Sequence, residues 1–485
     1  MTRSDAPSDT SVASAVRAAR RMEIDRRLQR VTGAPLRAGN QLRLLQNGSE
    51  TYDDWFAAMA QAKNWIHLEN YIFQNDTIGK RFAGALAERA AAGVAVRVLV
   101  DWFGSMDVPS SFWRSIRSAG VDVRIVNPPR LSVPLKVFQR DHRKVLAVDG
   151  IYASAGGVCI ADQWLARSPD TGLPYRDTAV SVRGPAVADI ERAFAGVWDQ
   201  FGSPLPADER PPSTTIAPAG DDDVRVIIQE PGRMRILRAL ELLTADVKER
   251  LWIADAYFLA SASLIQGMMS AAQDGIDVRI LLPATNDLPV VGALSRTGYR
   301  QLIESGVRIW EYAGLMMHAK TTVADGMWAR VGSTNLNVTG LVTNWELDVV
   351  SEDPRFGAQM EAMFESDLAN GREIRLAGSP RHPRARPERP LRPAERAARR
   401  RTHGRMPERR SAAVATLSRV GQVALQDSDA ALSKNERAVT GTISGLLLAI
   451  SLLGARFPRL LAWPLAAVGV LLGWTGLRRA VRPKS

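Results

Sequence analysis

Two short stretches of this 485-residue chain carry the same three residues at the same spacing. His142-Arg-Lys-Val-Leu-Ala-Val-Asp149 reads His-x-Lys-x-x-x-x-Asp, and His318-Ala-Lys-Thr-Thr-Val-Ala-Asp325 repeats it. The chain holds only five histidines and eight lysines. At those frequencies chance gives one such match about once in a hundred chains, and two far more rarely. A neutral imidazole can attack an electrophile or move a proton near neutral pH. A lysine two residues on can neutralise charge that develops on an oxyanion. One His-x-Lys pair alone reads as an exposed strand edge. Two pairs on equivalent hairpins make sense if the two halves of the chain face each other across one site.

The elements needed to position these residues follow from the spacing. HRKVLAV and HAKTTVA read as strands, so each histidine shares a face with its lysine. Asp149 and Asp325 each precede glycine, a hairpin-turn signal, and have the opposite parity to the histidines. A turn role is therefore expected for both. After each turn comes a second strand and a small-residue motif, IYASAGGVCIAD (151–162) and MWARVGSTNLN (327–337). Glycine lets backbone approach an anion closely, and short hydroxyl or amide side chains suit phosphate oxygens. Gly157, Ser333 and Asn335 are thus candidates for holding substrate. Asp177 and Glu346 join them, because either carboxylate could accept a hydrogen bond from an imidazole and fix its tautomer.

These residues resemble the phospholipase D superfamily, and within it the bacterial cardiolipin synthases, over roughly residues 31–368. The resemblance rests on both His-Lys-Asp motifs, the Gly-Gly and Gly-Ser-x-Asn elements and Arg176-Asp177-Thr178. The openings LENYIF (68–73) and ADAYF (254–258) also carry it. It implies an α/β fold of two duplicated lobes, each a mixed sheet flanked by helices. It implies phosphatidyl transfer through a phosphohistidine, with His142, Lys144, Asp149, His318, Lys320 and Asp325 as the catalytic set. The near symmetry of the two motifs leaves open which histidine attacks, and His142 is the expected nucleophile. No metal and no cofactor are expected. Two departures stand out. Cys159 occupies a position where the family usually has Asn, and residues 337–339 read Asn-Val-Thr where members often carry Asp-Arg-Ser. The acceptor decides the outcome: another phospholipid gives cardiolipin, and water gives a hydrolase. A nuclease of the same superfamily is a third reading.

Strand–helix alternation runs twice along the chain and predicts an α/β sheet with helices on both faces. In the first half, strands end 62–73 and fill 94–101 and 121–126, with helices over 80–93, 111–120 and 185–201. In the second, strands at 248–258, 276–283 and 307–312 alternate with helices at 261–275, near 292–305 and at 354–368. The expected organisation is a lead-in (1–35), a first lobe (36–202), a Pro-rich extended linker (203–222), a second lobe (223–370), an Arg/Pro-rich linker (371–413) and a membrane-associated tail (414–485).

Charge locates the partner. The net charge is +12. Residues 371–410 hold fourteen arginines against four glutamates, a net +10, so the remaining chain is nearly neutral. A basic tail on a neutral body argues against nucleic acid and for an anionic membrane surface. Residues 412–425 have small and apolar side chains at helical spacing. Two uncharged apolar runs, 439–455 and 460–477, flank Arg-Phe-Pro-Arg and read as a hairpin that spans or dips into a bilayer. The hairpin's ends are more basic than its turn, which places the lobes on the cytoplasmic side of the inner membrane. Residues 1–15 are polar and carry no secretory pattern. A single cysteine precludes an intrachain disulfide. Phospholipid is the expected substrate.

Overall fold

The structure is a computed structural model that describes residues 23–129, 139–165, 174–314 and 316–376. These lie in one compact unit, Met1–Arg399; a second, Arg400–Ser485, falls outside the described residues, as do the expected segments at 412–425 and 439–477. No described helix is long and apolar enough to cross a membrane.

The first half contributes β1 (Leu36–Gln46), β2 (Trp65–Asn70), β3 (Ala95–Asp101), β4 (Asp122–Val126), β5 (Lys144–Val148), β6 (Tyr152–Gly156) and β7 (Thr178–Arg183). The second contributes β8 (Asp222–Gln229), β9 (Arg250–Ala254), β10 (Asp277–Pro283), β11 (Arg308–Tyr312), β12 (Thr321–Ala324), β13 (Trp328–Gly332), β14 (Glu346–Ser351) and β15 (Gly371–Ile374). All form one mixed sheet in the order β15-β11-β10-β9-β12-β13-β14-β8-β1-β7-β6-β5-β2-β3-β4. From the centre outward, β1-β7-β6-β5-β2-β3-β4 is matched by β8-β14-β13-β12-β9-β10-β11, with β15 added at one edge. In both halves three strands run parallel (β2, β3, β4; β9, β10, β11), and the motif strand pairs antiparallel with the first of them. The two halves are continuous, because β1 pairs antiparallel with β8.

Local sequence explains the helices. Thr77–Ala91 starts where Asp76 accepts from the Gly79 amide, buries Ile78, Phe82 and Leu86 at helical spacing, and gives way to Gly93 at φ +87°. Pro354–Ala369 starts with Asp353 accepting from the Arg355 amide and Pro at the first turn. The single helix expected near 292–305 is two, Pro289–Thr297 and Tyr299–Glu304, divided at Gly298. The lead-in is helical over residues 23–32 of the described chain.

The Pro-rich stretch from 203 is not a free spacer. It makes two short 3₁₀ turns, and Glu209 within it is buried. Arg97 donates to both Glu209 oxygens at 2.6 and 2.5 Å, and the His67 ring stands 2.9 Å from one of them. The buried charges tie this segment to β2 and β3. Proline content made it look extended; the Arg97–Glu209 pair and the His67 ring decided where it runs.

Candidate active site

Each motif begins at one end of its strand and finishes at the other. Lys144 pairs with Asn70 of β2, and Val148 pairs with Ile66. Those four residues put about 13 Å between the motif's lysine and its turn. At the turn, Asp149 and Gly150 both have positive φ (52° and 66°), and Ile151 donates to the Val148 carbonyl. That is the backbone a mirror-type hairpin turn requires. The Asp149 carboxylate accepts from the amides of Lys63, Asn64 and Trp65 at 2.7, 2.8 and 2.8 Å. Asp325 repeats this at φ 51°, accepting from Lys248, Glu249 and Arg250 at 2.9, 2.7 and 3.0 Å. Both aspartates, grouped with the catalytic set by their motif, thus lie at the turns and fasten the starts of β2 and β9.

At the opposite end the halves cross. The His142 amide donates to the Trp345 carbonyl at 3.0 Å, and the Trp345 amide donates to Arg140 at 2.9 Å. On the other side His318 donates to the Arg176 carbonyl at 2.7 Å, and Arg176 donates to Met316 at 3.0 Å. The residue after each crossing point is a buried carboxylate. Asp177 lies 2.7 Å from Nδ1 of His318, and Glu346 lies 3.0 Å from Nδ1 of His142. Each imidazole is therefore held by a carboxylate from the other half. The carboxylates are held in turn: the Trp164 indole donates to Asp177 at 2.8 Å, and the Ser333 hydroxyl donates to Glu346 at 2.5 Å. Arg176 is fixed by Asp367 through two bonds of 2.7 and 2.8 Å.

Lys144 and Lys320 are buried, and each donates to the carbonyl of its own motif histidine. Burial pushes the His142 imidazole well below its usual range, and the Lys144 and Lys320 charges push the same way. Burial lowers His318 to about 4, with Lys320 adding and Asp177 opposing. Both rings are neutral at pH 7. Burial also brings Lys320 down to about 8. The two carboxyls differ. Burial works to raise Asp177, but His318, Lys320 and the Trp164 bond outweigh it and hold it at about 2. Burial raises Glu346 to about 8 against the pull of Lys144 and Ser333. Near neutral pH one imidazole leans on an anion and the other on a protonated carboxyl.

The small-residue motifs also differ between the halves. A side chain at Gly157 would stand 2.1 Å from an Asp177 oxygen, so glycine there leaves room for the carboxylate. Its counterpart Ser333 instead bonds Glu346. Asn335 is buried, and its side-chain oxygen has no partner among the described residues. Cys159 sits at the position equivalent to Asn335, fully buried, its carbonyl accepting from the Tyr52 hydroxyl. Burial raises its thiol pKa, with Lys144 pulling the other way. A buried thiol kept protonated is a poor nucleophile.

Sequence reasoning assigned no role to Tyr71 and Tyr257, although both lie in the openings it singled out. The Tyr71 ring stands edge-on to His142 at 4.7 Å between centres, and Tyr257 stands edge-on to His318 at 6.0 Å. Their equal places in the two openings were the available signal. Arg143 was also missed. It is buried on the opposite parity to His142 and donates to carbonyls of Ala193, Gln229 and Glu346, linking the two halves behind the site.

The family model described as cardiolipin synthase, PLD-like domain, matches residues 242–368. Cardiolipin synthase A of Pseudomonas fluorescens is 33% identical over 347 residues, 70% of this chain and 71% of that one. The probable cardiolipin synthase YwiE of Bacillus subtilis is 28% identical over 341 residues, 70% and 68% of the two chains. Among solved structures, phosphatidylserine synthase of Haemophilus influenzae superimposes with a TM-score of 0.58 at 17% identity. It covers 73% of this chain and 92% of that one, a likeness of fold.

Proposed function

We propose, for a chain that belongs to the cardiolipin synthase family of phospholipase D-like proteins, that it is a phosphatidyltransferase making cardiolipin from phosphatidylglycerol. Its two halves supply one nucleophile and one proton carrier. His142 attacks the phosphorus of a phosphatidylglycerol, and the bond to the glycerol headgroup breaks. His318, which takes up a proton beside Asp177 when the anionic phosphate binds, gives that proton to the departing oxygen. A glycerol hydroxyl of a second phosphatidylglycerol then loses its proton to His318 and attacks the phosphohistidine, which frees His142. One hard displacement becomes two easier ones. Lys144 and Lys320 neutralise the charge on the non-bridging oxygens, and Asn335 supplies an amide to the phosphate.

The observation that carries this reading is the crossed pairing of each imidazole with the other half's carboxylate. It also supports the division of roles. An ionised carboxylate behind an imidazole stabilises the imidazolium, so His318 with Asp177 suits the proton carrier. His142, beside a protonated Glu346, stays neutral and suits the nucleophile. The Arg-rich stretch and the two apolar runs beyond it support a place on the cytoplasmic face of the inner membrane.

The test is to incubate the full chain with phosphatidylglycerol vesicles and identify the products by mass spectrometry. Cardiolipin with free glycerol is expected. Phosphatidic acid without cardiolipin would make the acceptor water, and unchanged lipid would sink the reading.

A further inference from the structure

Among the described residues, eight large apolar side chains are exposed, and six of them lie in three segments that touch the two site tyrosines. Phe103 and Met106 follow β3. The Phe103 amide donates to Asp101, whose other oxygen accepts from the amide of Asp141, the residue before His142. A side chain at Gly104 would collide with the Tyr71 carbonyl, so this loop lies directly on Tyr71. Leu288, Val290 and Leu294 follow β10. There Asn286 donates to the Ala256 carbonyl, and Asp287 accepts from the Tyr257 hydroxyl at 2.8 Å. Val338 adjoins Asn337, which donates to the Tyr257 carbonyl at 3.2 Å. The remaining two, Ile151 and Met327, adjoin the Asp-Gly turns at the other end of the motif strands.

We infer that Phe103, Met106, Leu288, Val290, Leu294 and Val338 form an apolar rim that enters the lipid surface and sets the site mouth against the bilayer. The inference rests on the phosphatidyltransferase reading above and adds the surface through which substrate arrives. A diacyl lipid can bring its phosphate to buried lysines while its chains stay among their neighbours, provided the mouth itself is apolar. Exposed apolar side chains cost solubility and are kept where they meet another apolar phase. Val290 is 67% exposed and Met106 54%, so nothing in the described fold covers them. Both halves contribute to the rim, as both contribute to the site. Arg140, two residues before His142, stacks 4.5 Å over the Phe103 ring and offers a cation beside the apolar rim, where anionic headgroups lie.

The chain's single native thiol is buried, so one added cysteine can carry a polarity-sensitive fluorophore. Phe103→Cys, Leu288→Cys and Met327→Cys would be labelled in the full chain and mixed with phosphatidylglycerol vesicles. A blue shift is expected at 103 and 288 and none at 327. A second measurement uses Leu288→Ser with Val290→Ser: turnover on vesicles should fall about tenfold, while turnover of a short-chain, monomeric phosphatidylglycerol stays within about twofold. No shift at the rim, an equal shift at 327, or equal losses on both substrates would overturn the rim. So would a rim shift that grows with protein concentration without lipid, which would mark a contact between copies. The products of the unlabelled chain test the function separately. A rim shift without cardiolipin keeps the surface and removes the reaction, and cardiolipin without a rim shift does the reverse.

Discussion

Each imidazole in this site borrows its carboxylate from the other half of the chain, and the two carboxylates do different work. If His142 is the nucleophile, His318→Ala given a phosphatidyl ester whose leaving group departs without a proton, such as p-nitrophenol, should trap a phosphatidyl adduct on His142 that intact-mass analysis detects, whereas His142→Ala should form none. An adduct on His318 in the second variant would reverse the roles. Asp177→Asn removes an ionised partner, and comparable losses elsewhere predict a fall in turnover of roughly 10³-fold or more. Glu346→Gln should cost far less at pH 7, because Glu346 already carries its proton there. Linkage gives the sign for stability. A carboxyl raised from 4.5 to about 8 contributes stability fully present below 4.5 and lost as pH rises through 8. Thermal unfolding of the Glu346→Gln variant should therefore show a flatter decline over that window than the parent. An unchanged slope would mean that Glu346 is ionised in the folded chain. Cys159→Asn, which recreates the side chain found at Asn335, should remain active; a covalent thiol adduct would contradict the reading of Cys159 as a bystander.

At the scale of elements, the hairpin turns explain why the motif needs its aspartate. Three backbone amides at the start of β2 or β9 converge on one carboxylate, and that contact sets where the motif strand lies against its neighbour. Asp149→Ala and Asp325→Ala should each destabilise by about 1–3 kcal/mol, since three amides lose their acceptor. Asn at these positions should cost less, because it tolerates the positive φ and keeps one acceptor. Melting temperatures check this. A variant with parental stability and no turnover would give the aspartate a direct chemical role instead. The sequence exposed this through parity: Asp149 cannot share a face with His142 in a strand. It did not expose what the carboxylate holds, since Lys63 to Trp65 lie more than eighty residues earlier.

For the whole molecule, the charge distribution separates the candidate site from the proposed membrane contact. The body is nearly neutral, and the Arg-rich stretch carries almost all the excess charge. Deleting residues 412–485 should release the protein from membranes. It should lower activity on bilayers much more than activity on short-chain soluble phosphodiesters. Raising salt should weaken the attraction through the arginines and leave an inserted apolar hairpin unaffected. A full-length chain that washes off in salt alone would remove the inserted hairpin from the account. The rim at the site mouth would then be left as the apolar contact with lipid.

The sequence by itself determined the candidate reacting groups, the repeated strand–helix order and the turns, because each depends on spacings shorter than about ten residues. His142 with Lys144, His318 with Lys320, and the Asp-Gly pairs are legible from period and parity alone. It also put Asp177 and Glu346 forward as partners for imidazoles. Only the tertiary structure decided which carboxylate serves which ring, because the answer depends on backbone bonds between His142 and Trp345 and between His318 and Arg176. The union of the halves through β1 and β8 was equally hidden. Their pairing joins residues more than 180 positions apart, and no local pattern specifies a partner at that distance. The same holds for the protons. Two carboxyls of similar intrinsic acidity separate to about 2 and about 8 through neighbours that only the folded chain brings to them.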